Sequence, residues 1–196
     1  MALLASGLIS GCTWPGGGFN ASGPEMPRLT QALALKAGMA VADVGAGKGE
    51  LTLALAAAVG SAGHVYSSEI DPARLRALRE KVAAAGLGNV TFVEAKSSDS
   101  GLPAGCCDAI VLRRVYHHLA EPKEMNASLL RALRPGGALA VIDFPPPLFL
   151  GRGAFGVPAK NVIDEVTGSG FELVRVADDW PGRGPLASYF VLFRKP

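Results

Sequence analysis

The segment from Met39 to Leu51, Met-Ala-Val-Ala-Asp-Val-Gly-Ala-Gly-Lys-Gly-Glu-Leu, constrains this chain more than any other. A short apolar run ends in Asp43, glycines follow at alternate positions (Gly45, Gly47, Gly49), and the pattern then changes to that of an Ala/Leu-rich helix. The reading is strand, glycine turn, helix. Glycines let the backbone turn sharply and let a ligand lie against bare main chain, while the new helix presents unpaired N–H groups. Spacing then narrows the ligand. A dinucleotide site requires G-x-G-x-x-G/A, and a phosphate-cradling loop requires G-x-x-x-x-G-K followed by Ser or Thr. Glu50 stands where the third dinucleotide glycine belongs, and Lys48 is followed by Gly49, so neither pattern is met. A bare structural turn is the remaining alternative at this motif.

A chain of 196 residues suits one domain with a substantial core. With 19 Lys and Arg against 17 Asp and Glu, bulk electrostatics give no reason to expect a nucleic-acid partner. No apolar run approaches the length that spans a bilayer. Cys106 and Cys107 are neighbours and none of the cysteines has metal-ligand spacing, so reduced thiols and no metal centre are expected.

Residues 1–24 form a Gly/Pro-rich leader or arm, and residues 25–196 the globular part. Ile9-Ser10-Gly11-Cys12 fits the small-residue pattern before a lipidated cysteine, but no Lys or Arg precedes it and the apolar stretch is short. A cytoplasmic protein is the expectation, with lipid anchoring or export as the alternative. Trp14 and Phe19 are unusual for a linker, so the arm could cover the site or reach a second subunit in a homodimer.

The rest alternates helices and strands. Helices are expected over 28–36, 50–59, 72–85, 122–134 and 158–169, stopped by glycines or by Arg-Pro-Gly-Gly, with Asp71-Pro72 as N-cap and first-turn proline of the third. Strands are expected over 64–69, 90–93, 107–112, 138–143, 171–177 and 188–194, besides the one ending at Asp43. Glu69 closes its strand 20 positions past Gly49, the distance at which a βαβ unit brings a carboxylate beside a bound ribose. Capping the next helix is its bland alternative, but Asp71 already supplies that cap.

Asp-x-Gly-x-Gly-x-Gly after a buried strand resembles the first motif of class I S-adenosylmethionine-dependent methyltransferases. An Asp opening the 107–112 strand and the His-Leu-x-x-Pro after it resemble a second conserved region. Val-Tyr-His-His, Leu-Arg-Pro-Gly-Gly-Ala-Leu-Ala-Val-Ile-Asp and the ending Tyr-Phe-Val-Leu-Phe-Arg-Lys-Pro are similar to a bacterial branch of small-molecule-type methyltransferases. The resemblance covers about Leu29 to Pro196. It implies a Rossmann-like α/β fold with a seven-stranded, mostly parallel sheet of order 3-2-1-4-5-7-6, last strand antiparallel, and helices on both faces. It implies methyl transfer from S-adenosylmethionine to a small-molecule acceptor, leaving S-adenosylhomocysteine.

The same resemblance assigns residues. Asp43 would orient the cofactor's amino group. Gly45, Ala46, Gly47 and Gly49 would bracket its methionine and ribose, and Glu69 would take the ribose hydroxyls. Ile70 and Arg113 would join the cofactor set. Ser98 or Asp99 would face the adenine amine, Asp99 being the better acceptor for a donor. His118, His117 and Tyr116 lie where α/β folds open their crevice, and histidine titrates in the range useful for removing a proton from a nucleophile. A structural histidine at such a turn is the alternative. The branch often carries an acid before Val-Tyr-His-His. Arg114 stands there instead, which suits an anionic substrate group. Phe149, Arg152 and Trp180, on loops that leave the same end of the sheet, are candidates for the substrate wall. Two other readings stay open: a cofactor-binding sensor or scaffold without turnover, and a nicotinamide oxidoreductase, which Glu50 disfavours.

Overall fold

The computed structural model describes residues 20, 23–146, 156–181 and 188–196. Phe149, Arg152, residues 182–187 between the last two strands, the Ile9–Cys12 motif and the arm aromatics Trp14 and Phe19 lie outside the described residues.

In chain order the elements are α1 (Glu25–Ala32), β1 (Ala40–Val44), α2 (Glu50–Val59), β2 (His64–Glu69), α3 (Pro72–Ala84), β3 (Val90–Glu94), β4 (Cys107–Arg113), a 3-10 turn at Tyr116–His118, α4 (Pro122–Ala132), β5 (Leu133–Asp143), α5 (Ala159–Gly168), β6 (Glu172–Trp180) and β7 (Ser188–Arg194). The seven strands form one sheet in the order β3-β2-β1-β4-β5-β7-β6, as expected from the resemblance. The first five run parallel, and β7 inserts antiparallel between β5 and β6.

Central strands of such a sheet are covered on both faces, which explains their near-continuous apolar runs. Alternate residues divide between two cores. Ile110, Leu112, Leu139, Val141, Val191 and Phe193 pack toward α4 and α5 with Met125, Leu129, Val162 and Val166. Val41, Ala109, Val111, Ala140, Ile142 and Phe190 pack with Leu29 of α1 and Leu51, Leu55 and Val59 of α2.

Helix α1 ends at Ala32 rather than at residue 36 and α4 at Ala132 rather than 134, and three strand or helix limits differ for reasons visible in the packing. Helix α1 starts at Glu25 rather than Arg28, because Glu25, Met26 and Leu29 are its buried positions. Strand β5 starts at Leu133 and absorbs the Arg-Pro-Gly-Gly stop: Leu133 pairs Cys107, and the ladder shifts register before resuming at Ala138. Strand β6 runs on to Trp180, which pairs Ser188. Neighbours of β1 lie on both sides, β2 and β4, so the turns leaving β1 and β4 part company and open a crevice at their carboxyl ends.

Candidate functional site

The crevice is a cleft of about 520 Å³ between the glycine turn after β1, the tip of β2, the start of α3 and the turn after β4. It is within the range of ordinary small-molecule sites. Its floor is Asp43 at the second-last position of β1. Asp43 is buried, accepts from Thr52 Oγ1 at 2.6 Å, and that hydroxyl lies 2.8 Å from Ser67 Oγ. Burial pushes the Asp43 carboxyl up to about 6, opposed by the Thr52 bond and the Arg113 charge.

The three glycines of the turn all have positive φ, yet they serve different ends. A Cβ on Gly45 would sit 2.4 Å from Val115 Cγ2, and one on Gly49 would sit 2.1 Å from Leu78 Cδ1. Those two are demanded by packing. A Cβ on Gly47 would meet nothing nearer than the Gly45 carbonyl oxygen at 3.9 Å, so Gly47 alone turns its bare α-carbon toward open cleft.

Main chain ties the turn to the tip of β2. The N–H groups of Gly45 and Ala46 donate to the Ser68 carbonyl at 2.8 and 3.0 Å. Glu69, buried to 3 % exposure, accepts from Gly47 N–H at 2.8 Å, Ile70 N–H at 2.9 Å and Asp71 N–H at 3.0 Å. Its carboxylate is thereby fixed in place at the cleft edge, with Ile70 55 % exposed beside it. Asp71 caps α3 by accepting from Ala73 and Arg74 N–H, so capping is not what Glu69 does.

The opposite wall is the turn after β4. Arg113 donates two hydrogen bonds to the Glu25 carboxylate, Nε to Oε1 and Nη2 to Oε2, both 2.9 Å. Arg114 has φ 57°, a conformation few non-glycine residues adopt, and its guanidinium lies 5.7 Å over the Phe144 ring. His118 lines the cleft. Burial first, then the neighbouring His117 and Arg74 charges, pushes the His118 imidazole below its ordinary value, against Asp143. Neutral imidazole, a proton acceptor, is therefore its form at neutral pH.

Residues 41–137 match the family described as "Methyltransferase domain". The ubiquinone/menaquinone biosynthesis C-methyltransferase UbiE of Marinomonas sp. is 34% identical over 114 residues, 58% of this chain and 45% of that protein. That of Vibrio vulnificus is 33% identical over 113 residues, 57% and 44%. The match takes in less than half the length of these curated relatives. A solved S-adenosylmethionine-dependent methyltransferase from Aquifex aeolicus superimposes with TM-score 0.76 at 25% identity, covering 88% of this chain and 90% of that one. The [4+2]-cyclase SpnF shares the fold at TM-score 0.75 and 18% identity, covering 87% and 79%. This chain carries a class I S-adenosylmethionine-dependent methyltransferase domain.

Within that methyltransferase domain the cleft gathers Asp43, Gly45, Ala46, Gly47, Glu69, Ile70, Arg113, Arg114 and His118. Gly49 lies behind the turn, against Leu78. Other expected site residues sit elsewhere. Tyr116 is 2 % exposed in the core, donating its hydroxyl to Glu165 at 2.9 Å and accepting from Asn126 at 2.9 Å, so it does not line the cleft. Trp180 is a correction of the same kind. At 1 % exposure it stacks on Phe190 with centroids 4.3 Å apart and donates its indole N–H to Glu25 at 3.2 Å, because β6 carries it into the sheet. Asp99 is turned away to Arg131, 2.8 Å, and to the Gly101 N–H, and neither it nor half-buried Ser98 lines the cleft. His117 stands behind His118, its Nδ1 2.8 Å from Asp143 Oδ1.

The sequence reading did not single out Glu25, Thr52, Arg74 or Asp143. Asp143 and Thr52 left a trace: a carboxylate ending a buried strand, and a hydroxyl in the first turn of an apolar helix. Among the described residues no group of three or more His, Cys, Asp or Glu could hold a metal ion, and no helix is long and apolar enough to cross a membrane.

Proposed function

We propose that this protein transfers the methyl group of S-adenosylmethionine to a small-molecule acceptor. The reading is supported above all by one juxtaposition: the bare α-carbon of Gly47 faces a cleft that has Asp43 and Glu69 on one side and His118 and Arg114 on the other. These residues suit the cofactor. Asp43, ionised, would receive its ammonium group. Glu69 would accept from a ribose hydroxyl, since a carboxylate offers about four acceptor positions and three are in use. Such charged hydrogen bonds are worth about 1.5–3 kcal/mol each. Ile70 would offer apolar surface to the base.

When bound, the cofactor supplies an electrophilic methyl on sulfonium. The protein's part is alignment, exclusion of water and, for a protonated nucleophile, a proton acceptor. His118 is the cleft residue fitted to that last task. The relatives named as quinone-pathway C-methyltransferases make aromatic and quinone-type acceptors the first to try.

Equilibrium dialysis against S-adenosylmethionine and, separately, a nicotinamide dinucleotide tests the cofactor, and release of S-adenosylhomocysteine with a panel of phenols, quinols, thiols and amines tests transfer. Binding and turnover of S-adenosylmethionine are expected. Tight binding with no turnover across the panel would favour the sensor or scaffold reading, and binding of the dinucleotide alone would overturn both.

A further inference from the structure

Behind His118 lies an arrangement that cofactor binding does not use. Asp143, the last residue of β5, has no exposure to solvent. Both its oxygens are engaged: the His117 backbone N–H donates to Oδ2 at 3.1 Å, the Phe144 N–H to Oδ1 at 2.9 Å, and His117 Nδ1 lies 2.8 and 3.0 Å from the two oxygens. A carboxylate buried this deeply needs such donors, and its contact orients the His117 ring through Nδ1. Four side chains then follow one another. Arg114 lies 5.7 Å over Phe144, the Phe144 ring is 4.9 Å from His117, and His117 is 3.9 Å from His118. The two ends of this row, Arg114 and His118, line the cleft, while His117 at its middle is held from behind by Asp143.

We infer that Asp143 is a positioning residue which, through His117, sets the distance between Arg114 and His118 so that together they receive an acceptor whose attacking group ionises on binding. The inference rests on the cofactor reading above. The step is a single proton transfer: the acceptor's O–H proton passes to a His118 ring nitrogen, its bonding pair stays on the oxygen, and the Arg114 cation faces the resulting anion. The charged and titratable groups around His118 are Arg74 from α3, His117, Arg113 and Arg114 on its own turn, and Asp143 from β5, with Asp43 on the cleft floor, Glu69 at its edge, and Lys48 and Glu50 on the glycine side. Arg114 also makes the geometry specific. It holds a left-handed conformation, which concentrates where a surrounding structure enforces it for use.

The probe is 4-nitrophenol, whose ionised form is coloured, added to the full-length protein saturated with S-adenosylhomocysteine. The bound phenol is expected to ionise about 1 pH unit below the free phenol, the size of shift that a nearby opposite charge gives. Arg114→Gln and His118→Asn should each remove most of that shift. Asp143→Asn should do so while leaving S-adenosylhomocysteine affinity within twofold, which a merely structural loss would not. Should Asp143→Asn fail to fold, Phe144→Leu carries the same expectation, since it interrupts the row and keeps the carboxylate. An unshifted phenol on wild-type protein that binds S-adenosylhomocysteine overturns the inference alone, as does a full shift in Asp143→Asn. Failure to bind S-adenosylhomocysteine at all removes the cofactor reading and this inference with it.

Discussion

The two walls of the cleft are built by different means. On one side the turn from Gly45 to Gly49 is held by its own main chain and the adjacent strand tip, through the Ser68 carbonyl and the Glu69 carboxylate. On the other, the turn from Arg113 to His118 has one main-chain tie to the adjacent strand, Arg114 N–H to the Ile142 carbonyl at 2.7 Å, and is otherwise held by side chains from distant elements: Glu25 on Arg113, Glu165 on Tyr116 and Asp143 on His117. A wall of main chain tolerates little variation and suits a cofactor that never changes. A wall of side-chain pairs can be rebuilt one residue at a time, which suits the part of the site that meets the acceptor.

The largest expected effect tests whether the histidine wall depends on those distant pairs. Glu25→Ala takes the Glu25 carboxylate from the Arg113 guanidinium, 15% exposed, and from the Trp180 indole N–H. Breaking one side of a pair so buried costs about 3 kcal/mol or more. A urea-denaturation loss below about 1 kcal/mol would show that the wall stands without α1.

Next comes the glycine wall. Gly49→Ala combines φ +79° with a Cβ 2.1 Å from Leu78 Cδ1, and should cost about 2–3 kcal/mol of stability from backbone strain and overpacking. Gly47→Ala has the strain without the clash, so it should cost about 1 kcal/mol yet weaken S-adenosylmethionine in calorimetry at least tenfold. Equal stability losses, or unchanged affinity in Gly47→Ala, would erase the distinction between packing glycines and the one that faces ligand.

This contrast also explains what could be read in advance. The glycine turn and Glu69 were legible because each follows from local spacing along one βαβ unit, whereas the strand order and the part given to Asp43 came with the family resemblance. Tyr116 and Trp180 misled because both are aromatics beside the crevice in sequence whose direction is set by remote partners, Glu165 and Asn126 for one, Phe190 and Glu25 for the other. Asp99 misled because its loop folds back on Arg131 of α4. Asp143 reads in sequence as a strand end, and only the chain reversal after β4 brings His117 onto it.

Asp43 links the comparison to pH. Its carboxyl, raised to about 6 in the folded chain from 3.8, is mostly protonated at pH 5 and mostly ionised at pH 7. The folded state then holds more protons than the unfolded one between about pH 4 and 6, so Asp43 costs stability as pH rises through that window. If Asp43 receives the cofactor's ammonium group as proposed, binding needs the ionised form and affinity should strengthen about tenfold from pH 5 to 7. Asp43→Asn should flatten that dependence while stabilising the free protein above pH 6. A pH-independent affinity in the wild type would place the cofactor's ammonium group elsewhere.

The smallest effect asks whether the two walls feel each other. Arg74 starts α3 on the glycine side, yet its charge is among those lowering His118 on the other. It is 64% exposed, so water and salt screen it heavily. Arg74→Gln should therefore raise the His118 titration midpoint only slightly in low salt, followed by the NMR shift of its ring proton, and the difference should vanish as salt is added. The direction is fixed by sign: removing a cation makes the protonated imidazole easier to form, so proton acceptance by His118 would begin at higher pH. A midpoint that falls, or a rise that persists in high salt, would mean that His118 responds to a rearranged Arg114–Phe144–His117 row and not to charge across the cleft, and the walls would then be mechanically rather than electrostatically coupled.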